Sequence, residues 1–115
     1  MDDQDHPIVI LITAPSREVA QQIAQALLEH HLAACINLIT GVQSLYRWEG
    51  QLQNDEEVLL LVKSRSEIFQ SQLIPLVRQL HPYQLPELIV LPILDGYPPY
   101  LDWLRQETQK TQNDE

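Results

Sequence analysis

Two side chains in this sequence are donors of the kind that copper and zinc favour, the thiol of Cys35 and the imidazole of His81. Two ligands do not make a site. No HxxxH or CxxC pair accompanies them, so a metal centre would have to be assembled in space or across subunits. Each also has a plainer reading. Cys35 lies in an apolar strand, where a thiol packs as a small hydrophobe in the inner core. His81 stands at a helix C-terminus, where an imidazole suits the local dipole. His30 and His31 are adjacent at another helix end and point in different directions, which predicts solvent exposure. A second set, Tyr46, Trp48, Glu49, Lys63, Tyr83 and Glu87, mixes aromatic rings with both signs of charge. In one reading Lys63, Tyr83, Glu87 and Glu49 converge on a cleft between subunits and bind a small ligand between aromatic walls. In the other, Tyr46 and Trp48 join Leu45 and Leu52 as packing residues of a subunit interface, where Lys63 and Glu87 form an ion pair.

Catalysis has little support in the sequence, and no enzyme is expected. Ser44 and Ser64 have no His close in sequence, there is no GxSxG elbow, and none of the three glycines opens a phosphate-cradling loop. Gly41–Arg47 faintly echoes the anion-binding segment of acyl-phosphate hydrolases, but that segment belongs before a first helix and here it lies in a hairpin. The chain carries 16 acidic and 7 basic residues for a formal charge of −9, and −5 remains when the polar ends are set aside. Such a balance disfavours nucleic acid, whose binding rests on cations neutralising phosphates, and anionic membrane surfaces for the same reason. No apolar run approaches the roughly 20 residues that span a bilayer. A lone cysteine and an N-terminus without a secretion-signal layout lead to a cytoplasmic expectation.

These residues need elements to position them. Pro7–Ala14 is a continuous β-branched apolar run and reads as a strand buried on both faces. Ser16 can cap a helix to about His30, with Ala20, Ile23, Ala24 and Leu27 at helical spacing. Ala33 to Tyr46 then reads as one strand of more than about 40 Å, several times the usual length. Thr40-Gly41 marks a bulge in it, and Trp48-Glu49-Gly50-Gln51 turns it back into a third strand that ends at Arg65. Ser66 starts a second helix that Pro75 should kink. Glu87–Pro92 is a short edge strand, and Pro98 or Pro99 opens a terminal helix. The order β-α-β-β-α-β-α is that of an α+β, ferredoxin-like βαββαβ fold with an added C-terminal helix and a long β2-β3 hairpin arm. Residues 7–107 make one domain, between a flexible N-terminus at 1–6 and a flexible acidic tail at 108–115.

A two-stranded arm is marginal alone in water, and the sheet face turned away from the two helices is rich in Leu, Ile and Val. Both features predict burial against further copies of the chain. The blocks Thr13-Ala14-Pro15, Leu32–Asn37, Ser44-Leu45-Tyr46, Trp48-Glu49-Gly50, Lys63-Ser64-Arg65, His81-Pro82-Tyr83 and Tyr100–Leu104, in this order and spacing, resemble the CutA family of divalent-cation tolerance proteins. The resemblance covers about residues 8 to 104. It implies a compact homotrimer built like the PII signalling proteins, without an agreed reaction or obligatory cofactor, acting in tolerance or sensing of copper or another divalent cation. The copper ligands proposed in bacterial relatives are a strand cysteine and adjacent histidines; here Ile12 and Leu80 replace two of them and His81 remains. A PII-like module that binds a small anionic metabolite near Lys63 and Tyr83 is the alternative function.

Overall fold

The computed structural model describes residues 5–109. Its order is β1 (Pro7–Ala14), α1 (Arg17–Glu29), β2 (Cys35–Trp48), β3 (Gln51–Arg65), α2, β4 (Leu88–Pro92) and α3 (Pro98–Glu107). Helix α2 has three parts: an α-turn at Ser66–Ile68, a π-turn at Phe69–Leu73 and an α-segment at Ile74–Leu80. The expected kink takes this π form just upstream of Pro75, whose missing N–H and bulky ring disturb the ladder at that point. Ser16 caps α1 as expected, its hydroxyl accepting from the Val19 N–H at 3.2 Å.

All four strands form one antiparallel sheet in the order β2-β3-β1-β4. This is the ferredoxin-like order, with β4 at one edge and the long β2 at the other. Along β2, Ile39 faces Leu59 but Val42 faces Glu57, so Thr40 and Gly41 together oppose Val58 alone. Gly41 sits at φ 76°, where the extra residue bends the strand. At the arm's tip Glu49 and Gly50 both have positive φ, the sign pattern of the two-residue turn that matches strand twist.

Cross-strand partners share a face, so the register sorts the sheet into two sides. Ile8, Ile10 and Ile12, with Leu60 and Val62, are fully buried beneath α1 and α2. The opposite side carries Val9, Leu11, Leu59, Leu61, Ile89 and Leu91, with Ile89 and Leu91 each 48% exposed. Within one chain, then, β1 is buried on one face and half-covered on the other, whereas its unbroken apolar run predicted burial on both. The difference is the sheet face that a single subunit leaves open. Helix α3 covers one end of this face through fully buried Leu104.

The described parts of both chain ends are tied down. Arg65 donates from Nε to Thr108 Oγ1 at 2.8 Å and from Nη2 to the Thr108 carbonyl at 2.6 Å, and it pairs with Asp5. The Asp5 carboxylate also accepts the Glu67 N–H at 2.9 Å, and the His6 N–H donates to Ser66 Oγ at 3.0 Å. Thr108, expected to begin the loose tail, is instead 2% exposed. Asp5 and His6, inside the segment 1–6 expected to be flexible, are likewise held. Residues 1–4 of that segment and 110–115 of the tail lie outside the described residues.

Candidate functional site

Beyond the bulge, β2 and β3 pair from Val42↔Glu57 to Trp48↔Gln51. Strand alternation therefore sets Ser44, Tyr46, Trp48, Asp55 and Glu57 on one side of the arm, and Leu45, Arg47 and Leu52 on the other. The first side faces the segment between α2 and β4, which Pro82 and Pro86 keep out of helical conformation. Between them lies a cleft of about 700 Å³ lined by residues that include Thr13, Tyr46, Trp48, Glu57, Tyr83 and Glu87.

The floor of the cleft is a chain of hydrogen bonds. His81, 6% exposed, bonds through Nε2 to the Thr13 carbonyl at 2.7 Å, while its Nδ1 faces the Tyr83 N–H at 3.2 Å. A backbone N–H can only donate, so Nδ1 accepts and Nε2 carries the proton. The His81 and Tyr83 rings lie 4.7 Å apart, and the Tyr83 hydroxyl donates to Glu57 Oε2 at 2.6 Å. Burial, followed by the Glu57 hydrogen bond, drives the Tyr83 phenol far above the ordinary range. The Tyr46 hydroxyl donates to Asp55, and that bond raises its pKa as well.

Several of the residues singled out by type come together here and others do not. Tyr46, Trp48, Tyr83 and Glu87 line the cleft, and Leu45 borders it from the other side of the arm. Glu49 sits at the arm's tip, and Leu52 is on the far side of the arm, 77% exposed. Lys63 lies six residues along β3 from Glu57, roughly 20 Å away; its ammonium contacts Asn37 Oδ1 and lies 4.0 Å from Cys35 Sγ. Within one subunit no ion pair joins it to Glu87. Cys35 is half-buried on the open sheet face, level with Lys63 and Val9, rather than in the inner core. His30 is exposed, whereas His31 is only partly so and bonds through Nδ1 to the Glu107 carbonyl at 3.2 Å.

Within one subunit the two soft donors do not meet. His81 spends both ring nitrogens on the backbone, and Cys35 and His81 stand at opposite ends of β1. Among the described residues no three His, Cys, Asp or Glu side chains converge as ligands. The residues that composition and spacing missed are Glu57, Asp55 and Thr13. Their membership depends on strand register, and the acidic run Asp55-Glu56-Glu57 was its sole trace in the sequence.

Fold and site together define a small ferredoxin-like subunit with a projecting arm, an open apolar sheet face and an aromatic cleft at the arm's base. The sequence model of one family, the CutA1 divalent ion tolerance proteins, matches residues 8–107. The chain belongs to that family. It is 52% identical over 100 residues to the divalent-cation tolerance protein CutA of Thermus thermophilus, covering 87% of this chain and 96% of that protein. The solved Thermus thermophilus structure described as divalent cation tolerance protein Cut A1 superposes with a TM-score of 0.87 at 50% identity, over 90% of this chain and 99% of that one. The Arabidopsis thaliana relative named Protein CutA, chloroplastic, is 42% identical over 105 residues; the match covers 89% of this chain and 56% of that protein, so the chain spans about half its length. Among the described residues no helix is long and apolar enough to cross a membrane.

Proposed function

We propose that this chain acts in divalent-cation tolerance as a non-catalytic, cytoplasmic homotrimer, and that the assembled form is the active one. The observation that carries the reading is the open face of the sheet, where Val9, Leu11, Leu59, Leu61, Ile89 and Leu91 form a continuous apolar surface in register. Leu45 and Leu52 on the arm are 72% and 77% exposed. Contiguous patches of this kind mark interaction sites, and each Å² removed from water contributes about 25 cal/mol. The family's names support tolerance of divalent ions as the setting. Copper is the ion favoured by the bacterial relatives' proposed ligands, but a copper site inside one subunit has no support in the donor set. The role is therefore assigned to the oligomer and to contacts formed between subunits.

An anionic metabolite near Lys63 and Tyr83 would draw the two residues from different subunits, because register separates them within one chain. The test is growth of a copper-sensitive host that lacks its own relative of this family. Expression of the wild-type chain restores growth in copper, and Leu91→Glu, which places a charge on the open face, does not. Equal rescue by a Leu91→Glu protein verified as monomeric would sink the proposal.

A further inference from the structure

The cleft at the base of the arm has chemistry that neither assembly nor metal tolerance uses. Glu57 is 6% exposed and lines the cleft, and its hydrogen bond comes from an uncharged phenol. Among the described residues it has no ion pair, and a buried carboxylate without a cation is an expensive arrangement. Glu87 stands on the rim and Asp55 lies on the same side of the arm. Arg47 contributes to the lining, but its register puts it on the opposite side of the arm from Tyr46 and Trp48. Three aromatic rings, those of Tyr46, Trp48 and Tyr83, wall the same space.

Aromatic faces attract cations through their quadrupole, tryptophan most strongly. Carboxylates do so through charge, and an open cleft of about 700 Å³ has room for a small organic molecule. A bare divalent ion demands several converging donors, which the described residues do not supply. An anion would meet Glu57 and Glu87. We propose that the cleft is a binding site for an organic cation, an alkylammonium or guanidinium group, seated against Trp48 and Tyr46 with its charge toward Glu57. A free amine and a lysine or arginine side chain of a protein partner share this chemistry.

The experiment is isothermal titration of the assembled wild-type protein with n-butylammonium and n-butylguanidinium, with butyrate and butanol as controls. The cations bind and the controls do not. Glu57→Gln, which keeps an acceptor for the Tyr83 hydroxyl, weakens binding about tenfold, equivalent to ~1.4 kcal/mol. Glu87→Gln on the exposed rim tests the same charge without risk to the fold and weakens binding about twofold. Titration with acetyl-Gly-Lys-Gly-amide separates the sources: tighter binding than butylammonium assigns the cation to a protein partner, and weaker binding to a small molecule. Butyrate binding as well as butylammonium, no cation binding at millimolar concentration, or unchanged affinity in both Glu variants would overturn the proposal. None of these outcomes bears on the oligomeric state, so this inference and the tolerance reading fail separately.

Discussion

Replacing Arg65 with Met tests whether one buried guanidinium clasps the two chain ends to the sheet. Met keeps much of the apolar stem's packing and removes the charge. The bonds lost are those to Thr108 Oγ1 at 2.8 Å and the Thr108 carbonyl at 2.6 Å, together with the pairs to Asp5 and, at 3.3 Å, to Glu67. Glu67 is 71% exposed, so water screens that pair and it adds little. Thr108 is buried, and its carbonyl loses this charged donor. Charge-assisted hydrogen bonds contribute roughly 1.5–3 kcal/mol each and are not additive, so the expected loss is about 3 kcal/mol. Urea unfolding followed by circular dichroism at fixed protein concentration measures it. The effect should also depend on pH. Burial raises the Asp5 pKa, but the Glu67 N–H and Arg65 together outweigh burial and hold it below its ordinary 3.8. A depressed carboxylate contributes stability above its unfolded pKa and loses it as pH falls through the folded value. The gap between wild type and Arg65→Met therefore narrows below about pH 4. A loss under about 1 kcal/mol at neutral pH, or a gap that widens on acidification, would refute the reasoning.

Leu52→Ala truncates a side chain on the far side of the arm that is 77% exposed in the subunit and is expected to bury on assembly. It weakens association by about 2 kcal/mol per subunit while leaving the subunit's circular dichroism unchanged; unchanged dissociation on dilution counts against the interface role. His81→Ala leaves the buried Thr13 carbonyl without its donor and costs about 1–3 kcal/mol in thermal or urea unfolding. Its copper isotherm matches that of the wild type, because both ring nitrogens are already engaged. A copper affinity that drops with this substitution would restore His81 as a ligand.

Period and punctuation were enough to read the backbone. The bulge at Thr40-Gly41, the turn at Glu49-Gly50 and the Pro75 disturbance all follow from residues whose conformational demands are local. What remained illegible depended on register. The one-residue bulge decides that Glu57, rather than Glu56, faces the cleft beside Tyr46, and that Lys63 belongs to the distant Cys35 row. Arg65 looked like the last polar residue of a strand because its partners, Asp5 and Thr108, are 60 and 43 positions away in sequence. The apolar neighbours of Cys35 predict a core position, yet alternation sets it on the face that one subunit leaves open.

That open face makes a demand that can be weighed directly. Sedimentation equilibrium of the wild-type chain at micromolar concentration predicts a single species of about 40 kDa, three times the 13.3 kDa subunit. A species of 13.3 kDa that stays soluble and folded at that concentration would mean that the apolar sheet face and the arm need no second copy, and would contradict the account.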